Sequence, residues 1–353
     1  MKKYETNPFT LSFGNKPFEY VSREKDKTDI IEKFIKEPPV SHCFIITGVR
    51  GSGKTVMLTS ISKYFLEQDN WVVIGLNPAD DMREALAAKL YTSAKVKHLF
   101  LEKNFNFSFH GISFSISGKN PILNIDDLLD KMLKEISKHH IKVLITIDEA
   151  TNNIYMKQLA LSFQMLIREE YQLFILATGL LENISSLQKG SNIAFFINAP
   201  KFYLSPLNLT AISNSYKSTL SLENAEAIKC AKLTKGYAFA FQLLGYLMYE
   251  EHKKVIDEDL LNKFDQYLDE FTYSKIWSSL TNVEQRILAS IKSNNPIAVS
   301  NLLNDLNMTK EYYSRYRDRL IKKGLLDGSK RGSVSLVLPR FYEFIQNKLL
   351  FLE

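Results

Sequence analysis

Eight consecutive residues, Gly48-Val49-Arg50-Gly51-Ser52-Gly53-Lys54-Thr55, carry the most specific chemical pattern in the chain. They fit G-x-x-x-x-G-K-[ST], a spacing that suits a loop wrapped around phosphate. The glycines allow the backbone to curl, so that successive N–H groups point inward at phosphate oxygens. Lys54 supplies a point charge for β- and γ-phosphates, and Thr55 a hydroxyl for Mg²⁺. The pattern also arises by chance, so the flanking residues matter. Before it runs Cys43-Phe44-Ile45-Ile46-Thr47, a short apolar, β-branched segment of buried-strand type. After it Val56, Met57, Leu58, Ile61, Tyr64 and Phe65 are apolar at helical spacing. A helix beginning near Lys54 adds the positive end of its dipole to the same spot. Gly48, Arg50, Gly51, Ser52, Gly53, Lys54, Thr55 and Val56 are therefore the candidates for holding a nucleotide. The competing reading is a glycine turn at a strand–helix junction.

A second constellation answers the first. Val143-Leu144-Ile145-Thr146-Ile147-Asp148-Glu149 is a buried-strand run ending in two carboxylates. Beside a phosphate loop this reads as a Walker B motif: Asp148 holds Mg²⁺, directly or through water. Glu149 polarises the attacking water as a general base. Two acids capping the next helix are the alternative. ATP and Mg²⁺ are the ligands these motifs call for.

The elements that must position these groups alternate. Strands are expected at Cys43–Thr47, Trp71–Leu76, Val143–Ile147, Leu173–Ala177 and Phe202–Leu204, separated by long, mostly helical connections. Such alternation predicts an α/β fold, a parallel sheet with helices on both faces. Ahead of it lies an extended lead-in with Pro8, Pro17, Pro38 and Pro39, and one helix over about Lys27–Lys36. At Asn104–Ser117, Phe105, Phe107 and Phe109 alternate with polar residues, His110-Gly111 turns the chain, and Ile112, Phe114 and Ile116 alternate again. That is a hairpin with one apolar face, packed on the body of the protein or left for a partner. From Leu207 to about Phe271 the pattern is helical throughout. The expected division is an ATPase core with its lead-in over 1–205, a helical lid domain over 206–275 and a third domain over 276–353.

The chain has 353 residues, of which 45% are hydrophobic and 24% charged, ordinary for a globular protein. It contains no apolar run long enough for a membrane helix, and its start lacks the apolar stretch of a signal peptide. Cys43 and Cys230 have no metal-ligand spacing, and a reduced, cytoplasmic protein is the expectation. The net charge is +6. Residues 281–353 hold 12 Lys/Arg against 7 Asp/Glu, a net of +5. The excess positive charge therefore sits in the last fifth of the chain and suggests an anionic partner there.

That last fifth reads as a module. Thr281-Asn282-Val283-Glu284 is a capping box opening a helix through Ile291. A second short helix covers Pro296–Leu306, and Thr309 caps a third that runs to about Lys323 and ends at Gly324. Leu325–Leu336 reads as a hairpin with a basic tip. Three helices and a hairpin make a winged helix-turn-helix. On the third helix Tyr313, Tyr316 and Leu320 share the core face, Arg315, Arg319 and Lys322 the opposite one, with Arg317 at the shoulder. With Lys330 and Arg331 on the wing, these are the candidates for gripping double-stranded DNA. A winged helix used for protein contact is the alternative.

Taken together, the motifs resemble those of AAA+ and STAND-type P-loop ATPases, and more narrowly the archaeal and bacterial ATPases related to origin-recognition initiators. Arg23-Glu24 resembles the family's Arg-Glu box, and Thr234-Lys235-Gly236-Tyr237 its glycine-containing lid segment. The resemblance implies a P-loop NTPase sheet, a helical lid and a terminal winged helix, with an added strand between the two Walker strands. Leu173–Ala177 would be that strand. Thr178 at its end is placed like the sensor-one residue that touches the γ-phosphate or the lytic water; a threonine merely ending a strand is the alternative. Arg23 is implied as a nucleotide contact. The sequence departs from the family at the lid helix, Tyr237-Ala238-Phe239-Ala240-Phe241, which has no sensor-two arginine. For an arginine finger only Lys189, Lys201 and Arg168 are nearby candidates. The resemblance implies an ATPase in which nucleotide state sets conformation, with slow turnover or a STAND-like signalling switch as the other option, and a homo-oligomer or protein partner as possibilities.

Overall fold

The computed structural model describes residues 6–12, 17–101, 107–109, 112–114, 124–189, 196, 198–293 and 295–350. They fall into two compact units. The sheet unit comprises Glu24–Thr47 and Lys54–Phe202; the helical unit comprises Met1–Arg23, Gly48–Gly53 and Tyr203–Glu353.

The sheet unit is built on strands β1 (Cys43–Thr47), β2 (Trp71–Leu76), β5 (Lys142–Ile147), β6 (Leu173–Gly179) and β7 (Lys201–Tyr203), in the order β2-β5-β6-β1-β7. The β1–β6, β5–β6 and β2–β5 pairs are parallel. Every residue of β1 and β6 is buried, as strands covered on both faces must be. Alternate side chains divide the core. Phe44 and Phe174 meet Phe34 of α1 (Glu24–Ile35) at ring distances of 4.7 and 5.6 Å. On the other face Ile45, Ile145 and Ile175 join a cluster with Leu86, Leu129 and Phe163. These come from α3 (Met82–Thr92), α5 (Ile125–Lys138) and α6 (Ile154–Arg168). Helix α2 (Lys54–Leu66) buries Met57, Leu58, Ile61 and Phe65. Three short elements complete the unit: α4 (Lys97–Leu101), α7 (Leu181–Lys189) and an antiparallel hairpin. The hairpin pairs β3 (Phe107–Phe109) with β4 (Ile112–Phe114), Ser108 opposite Ser113. It falls within the expected span 104–117; its turn lies outside the described residues. The first helix opens at Glu24, ahead of its expected body over Lys27–Lys36, and Glu24 and Asp26 fill a first turn where the dipole favours acids.

The helical unit packs α8 (Leu209–Leu220), α9 (Asn224–Thr234), α10 (Ala238–Glu250) and α11 (Glu258–Leu268). A π-turn (Asp269–Tyr273) and α12 (Ser274–Ser278) follow. One continuous hydrophobic cluster runs from Leu207 to Ile345 and takes in Phe9 of the lead-in. Phe9 lies so close to α10 that a Cβ on Gly245 would sit 2.5 Å from its ring, so only glycine fits there. The C-terminal elements are α13 (Asn282–Ala289), β8 (Ile297–Ala298), α14 (Val299–Leu306), α15 (Lys310–Lys322), β9 (Leu326–Asp327), β10 (Ser333–Leu336) and α16 (Phe341–Leu350). The capping box at Thr281 and Glu284 is formed, and α15 ends before Gly324, whose φ is +78°. The three strands form a sheet in the order β8-β10-β9, both pairs antiparallel. The segment expected to be helical from Pro296 starts as β8 instead, because Ile297 and Ala298 pair with Val334 and Ser333. Among the described residues no helix is long and apolar enough to cross a membrane.

Candidate functional site

In the sheet unit, the register brings three strand ends to one edge. Thr47 lies opposite Gly179, and Ile147 opposite Ala177. Parallel α/β sheets offer their ligand sites beyond this carboxyl edge. Asp148, just past β5, is the hub. Its Oδ2 accepts a hydrogen bond of 2.8 Å from the hydroxyl of Thr55, in the first turn of α2. Its Oδ1 accepts from the hydroxyl of Thr178 and, at 3.1 Å, from the backbone N–H of Glu149. The Glu149 N–H also points at the Thr178 hydroxyl, 3.1 Å away. Thr178 is fully buried and adds its carbonyl as acceptor for Ala150 N–H at 2.8 Å. Thr178 thus orients Asp148 directly.

Glu149 is exposed and sits at φ +53°, in the left-handed region. Such a conformation costs a β-carbon-bearing residue about 1–3 kcal/mol and persists only where the surroundings impose it. Here the hydrogen bonds of its N–H and of Ala150 N–H, both to Thr178, impose it. The strand end turns sharply, and the second carboxylate leaves the line of the first.

The Thr55 and Asp148 oxygens suit a metal. Two cis ligands of octahedral Mg²⁺, each at about 2.1 Å, are about 3 Å apart, close to the 2.8 Å observed. Among the described residues no three His, Cys, Asp or Glu side chains gather into a metal site. A Mg²⁺ bound by one carboxylate, one hydroxyl, phosphates and water needs no such gathering.

In the helical unit, residues 48–53 form the turn of the phosphate loop. Ser52 N–H donates to the Val49 carbonyl at 3.2 Å, and Gly51 and Gly53 have φ of +75° and +92°. The Ser52 hydroxyl is buried with no hydrogen-bond partner among the described residues, a donor that a phosphate oxygen would satisfy. Arg23 is spent on main-chain carbonyls: its guanidinium donates to Ser52 at 2.9 Å and to Ser205 at 3.0 Å. The Arg50 carbonyl accepts from the Tyr237 hydroxyl at 2.6 Å, and the Gly51 carbonyl from the Phe239 N–H at 3.1 Å. Nothing in the sequence marks Tyr237 for this task except its place after Gly236. A cleft of about 760 Å³ in this unit is lined by Gly48, Val49 and Ser52 and by three cations, Arg23, Lys235 and Lys322. Burial lowers the pKa of Lys235, whose ammonium donates to the Leu336 carbonyl at 3.3 Å.

The basic face of α15 is divided. Arg315, Lys322, Lys330 and Arg331 are exposed. Arg317 is half-buried and donates to the Gly328 carbonyl at 3.2 Å, tying α15 to the β9–β10 connection. Arg319 leans toward the Glu284 carboxylate at 3.8 Å. Tyr313 and Leu320 are fully buried, as their spacing predicts. Glu284 itself is fully buried and pairs with the buried Lys323 at 3.1 Å. Burial alone would raise its pKa; the Thr281 N–H and the Lys323 ammonium outweigh that and hold it below the ordinary value.

Comparison with known proteins agrees with this architecture. Residues 270–345 match a domain family described as a domain of unknown function, DUF8462. No curated protein matches the chain. Among solved structures, a Walker-type ATPase of Pyrococcus abyssi, PABY2304, superposes with a TM-score of 0.63 at 13% identity, over 93% of this chain and 96% of that one. The ORC2 protein of Aeropyrum pernix, solved as ADPNP–ADP complexes, superposes with a TM-score of 0.53 at 14% identity, over 97% and 98%. Its ADP form gives a TM-score of 0.50 at 14% identity, over 97% of both chains. The chain has the fold of the Walker-type, origin-recognition-like P-loop ATPases.

Proposed function

We propose that the protein binds and hydrolyses ATP, and that nucleotide state controls its conformation. One observation carries the reading: Thr55, Asp148 and Thr178 are joined by hydrogen bonds at the carboxyl edge of the sheet. Gly48, Arg50, Gly51, Ser52, Gly53 and Val56 belong to the loop and helix start that cradle the phosphates, and Lys54 neutralises the β- and γ-phosphates. Thr55 and Asp148 would hold Mg²⁺, which supplies charge neutralisation on the same phosphates when bound. Glu149 takes the proton of the attacking water, and Thr178 fixes Asp148. Arg23 acts on the loop through its carbonyl bonds. The test is a fluorescent-ATP titration with single-turnover hydrolysis. Lys54→Ala should lose most of the affinity, and Glu149→Gln should bind ATP and leave it uncleaved. Unchanged affinity in the first, or wild-type cleavage in the second, would reject the assignment.

We read residues 276–353 as a winged helix that grips duplex DNA. The helix and strand order of this segment and the exposed Arg315, Lys322, Lys330 and Arg331 support it. Arg317 and Arg319 contribute less, since each is engaged within the module. Four phosphate contacts would give a log–log salt slope of about −3.6. Anisotropy against duplex DNA measures it. Reversing Arg315 and Lys330 to Glu should lower the slope by about two units, and an undiminished slope would leave DNA without a role for this face. The second reading, a STAND-like switch whose winged helix contacts protein, is favoured by the continuous core that this segment shares with the lid helices.

A further inference from the structure

We propose that Tyr237, with Phe239 and Arg23, forms a clamp that sets the shape of the phosphate loop and couples it to the lid helix α10. The proposal rests on the ATP reading of the loop and adds positioning residues to it. Three consecutive carbonyls of the loop, those of Arg50, Gly51 and Ser52, are each taken by a donor from outside it. The donors are the Tyr237 hydroxyl at 2.6 Å, the Phe239 N–H at 3.1 Å and the Arg23 guanidinium at 2.9 Å. In a trans peptide the carbonyl and the next N–H point in opposite directions. Pinning the Arg50 and Ser52 carbonyls therefore turns the N–H groups of Gly51 and Gly53 away from the clamp, to the side where a phosphate is received.

The glycines carry the imprint of the clamp. A Cβ on Gly51 would lie 2.4 Å from the Tyr237 hydroxyl, and one on Gly53 3.2 Å from the Arg23 guanidinium. Both positions also have positive φ. Gly51 is thus required twice, by backbone conformation and by the tyrosine that approaches it. Tyr237 is anchored in turn: it is buried and stacks at 6.4 Å on Tyr273, itself fully buried. Burial drives its phenol pKa well up, so the hydroxyl stays a donor at all working pH values. Phe239 lies in the first turn of α10, so any movement of that helix pulls on the Arg50 and Gly51 carbonyls together. Where a lid arginine would reach a nucleotide by charge, this lid acts on the loop by two hydrogen bonds to its carbonyls, one from a side chain and one from the main chain.

The test uses the full-length protein with Tyr237→Phe, which removes the hydroxyl alone. Hydrogen exchange in the absence of nucleotide reads the clamp directly: the Phe239 amide, which donates to the Gly51 carbonyl, and the Ser52 amide, which closes the loop turn on Val49, should exchange about five-fold faster, the value of one lost hydrogen bond. The dissociation constant for a fluorescent ATP analogue should rise by a similar factor, while the bound amplitude at saturation stays that of wild type. A general folding defect would lower the amplitude and leave the constant alone. Arg23→Gln, which loosens the third carbonyl from the opposite side, should move both readouts in the same direction. Wild-type exchange of the Ser52 and Phe239 amides in both variants would overturn the clamp while leaving the ATP reading standing. Failure of wild type to bind nucleotide at all would overturn the ATP reading, and the clamp's purpose with it.

Discussion

Replacing Thr178 by Val tests the hub at the sheet edge. Valine keeps the shape of threonine and loses only the hydroxyl, at a position with no exposed surface. That hydroxyl donates to the Asp148 carboxylate and accepts from Glu149 N–H at 3.1 Å. A hydrogen bond to a charged group contributes about 1.5–3 kcal/mol. The Glu149 N–H is not orphaned, since Asp148 Oδ1 remains 3.1 Å away, so no further desolvation cost is added. The net loss is about 2 kcal/mol, which for a unit of this size lowers the melting temperature by about 4–8 °C. Asp148 then keeps its bonds from the Thr55 hydroxyl and from the Glu149 N–H and loses the third. A carboxylate that has lost its bond from the buried hydroxyl should slow single-turnover cleavage about tenfold, equivalent to about 1.4 kcal/mol of transition-state stabilisation. Thr178→Ser is the control: it retains both hydrogen bonds and loses one methyl, about 0.8 kcal/mol. Scanning calorimetry and rapid-quench hydrolysis on the three proteins decide. If valine and serine give the same melting temperature and the same cleavage rate, the hydroxyl bonds do not organise the site.

Two further outcomes follow from the same geometry. Glu149→Gly should relieve a left-handed strain of about 1–3 kcal/mol and lose about 0.4–1 kcal/mol to the freer unfolded chain. A net gain of about 1 kcal/mol in urea unfolding, together with loss of ATP cleavage, would separate the stability role of φ from the chemistry of the carboxylate. In the C-terminal segment, the pKa of Glu284 is held below its ordinary value of 4.5. A carboxyl lowered on folding contributes stability that is complete above the unfolded value and fades as pH falls through the folded one. Unfolding followed from pH 7 to pH 3 should therefore show a loss below about 4.5 that is absent in Glu284→Gln. The variant should be weaker by about 3 kcal/mol at pH 7, because a neutral amide replaces the buried carboxylate that faces the Lys323 ammonium.

The sheet was legible because its central strands are buried on both faces and so read as unbroken apolar runs. Cys43–Thr47 and Trp71–Leu76 end where the runs end. The Walker residues were legible because phosphate and Mg²⁺ demand particular residue types at short spacing, and Thr55 and Asp148 do meet. Local signals also sufficed for the capping box at Thr281 and for the end of α15 at Gly324. What the spacing hides is pairing between distant segments. Strand β8 takes its conformation from Ser333 and Val334, not from its own two residues. The apolar Phe341, Phe344 and Ile345 recur at helical spacing, a signal that would have located α16. The helical wheel put Arg319 on an outward face, yet its side chain is long enough to reach back to Glu284.

The role of Tyr237 is the clearest case of information that a linear reading cannot hold. Its hydroxyl meets a carbonyl 187 residues earlier in the chain, and carbonyls leave no trace in residue type. The sequence does record the other half of the contact, in Gly51, but as part of a motif that already accounts for that glycine by phosphate binding. Two demands fall on one residue and only one of them has a spacing. The same holds for Arg23. The family resemblance implies Arg23 as a nucleotide contact; in the structure its guanidinium donates to the carbonyls of Ser52 and Ser205. A cation placed there supports phosphate binding through the backbone it holds, because a loop whose carbonyls are fixed presents its N–H groups without further ordering cost. On the proposed reading the shape of the loop depends on three residues distant in sequence from most of it, Arg23, Tyr237 and Phe239, each bonded to a loop carbonyl.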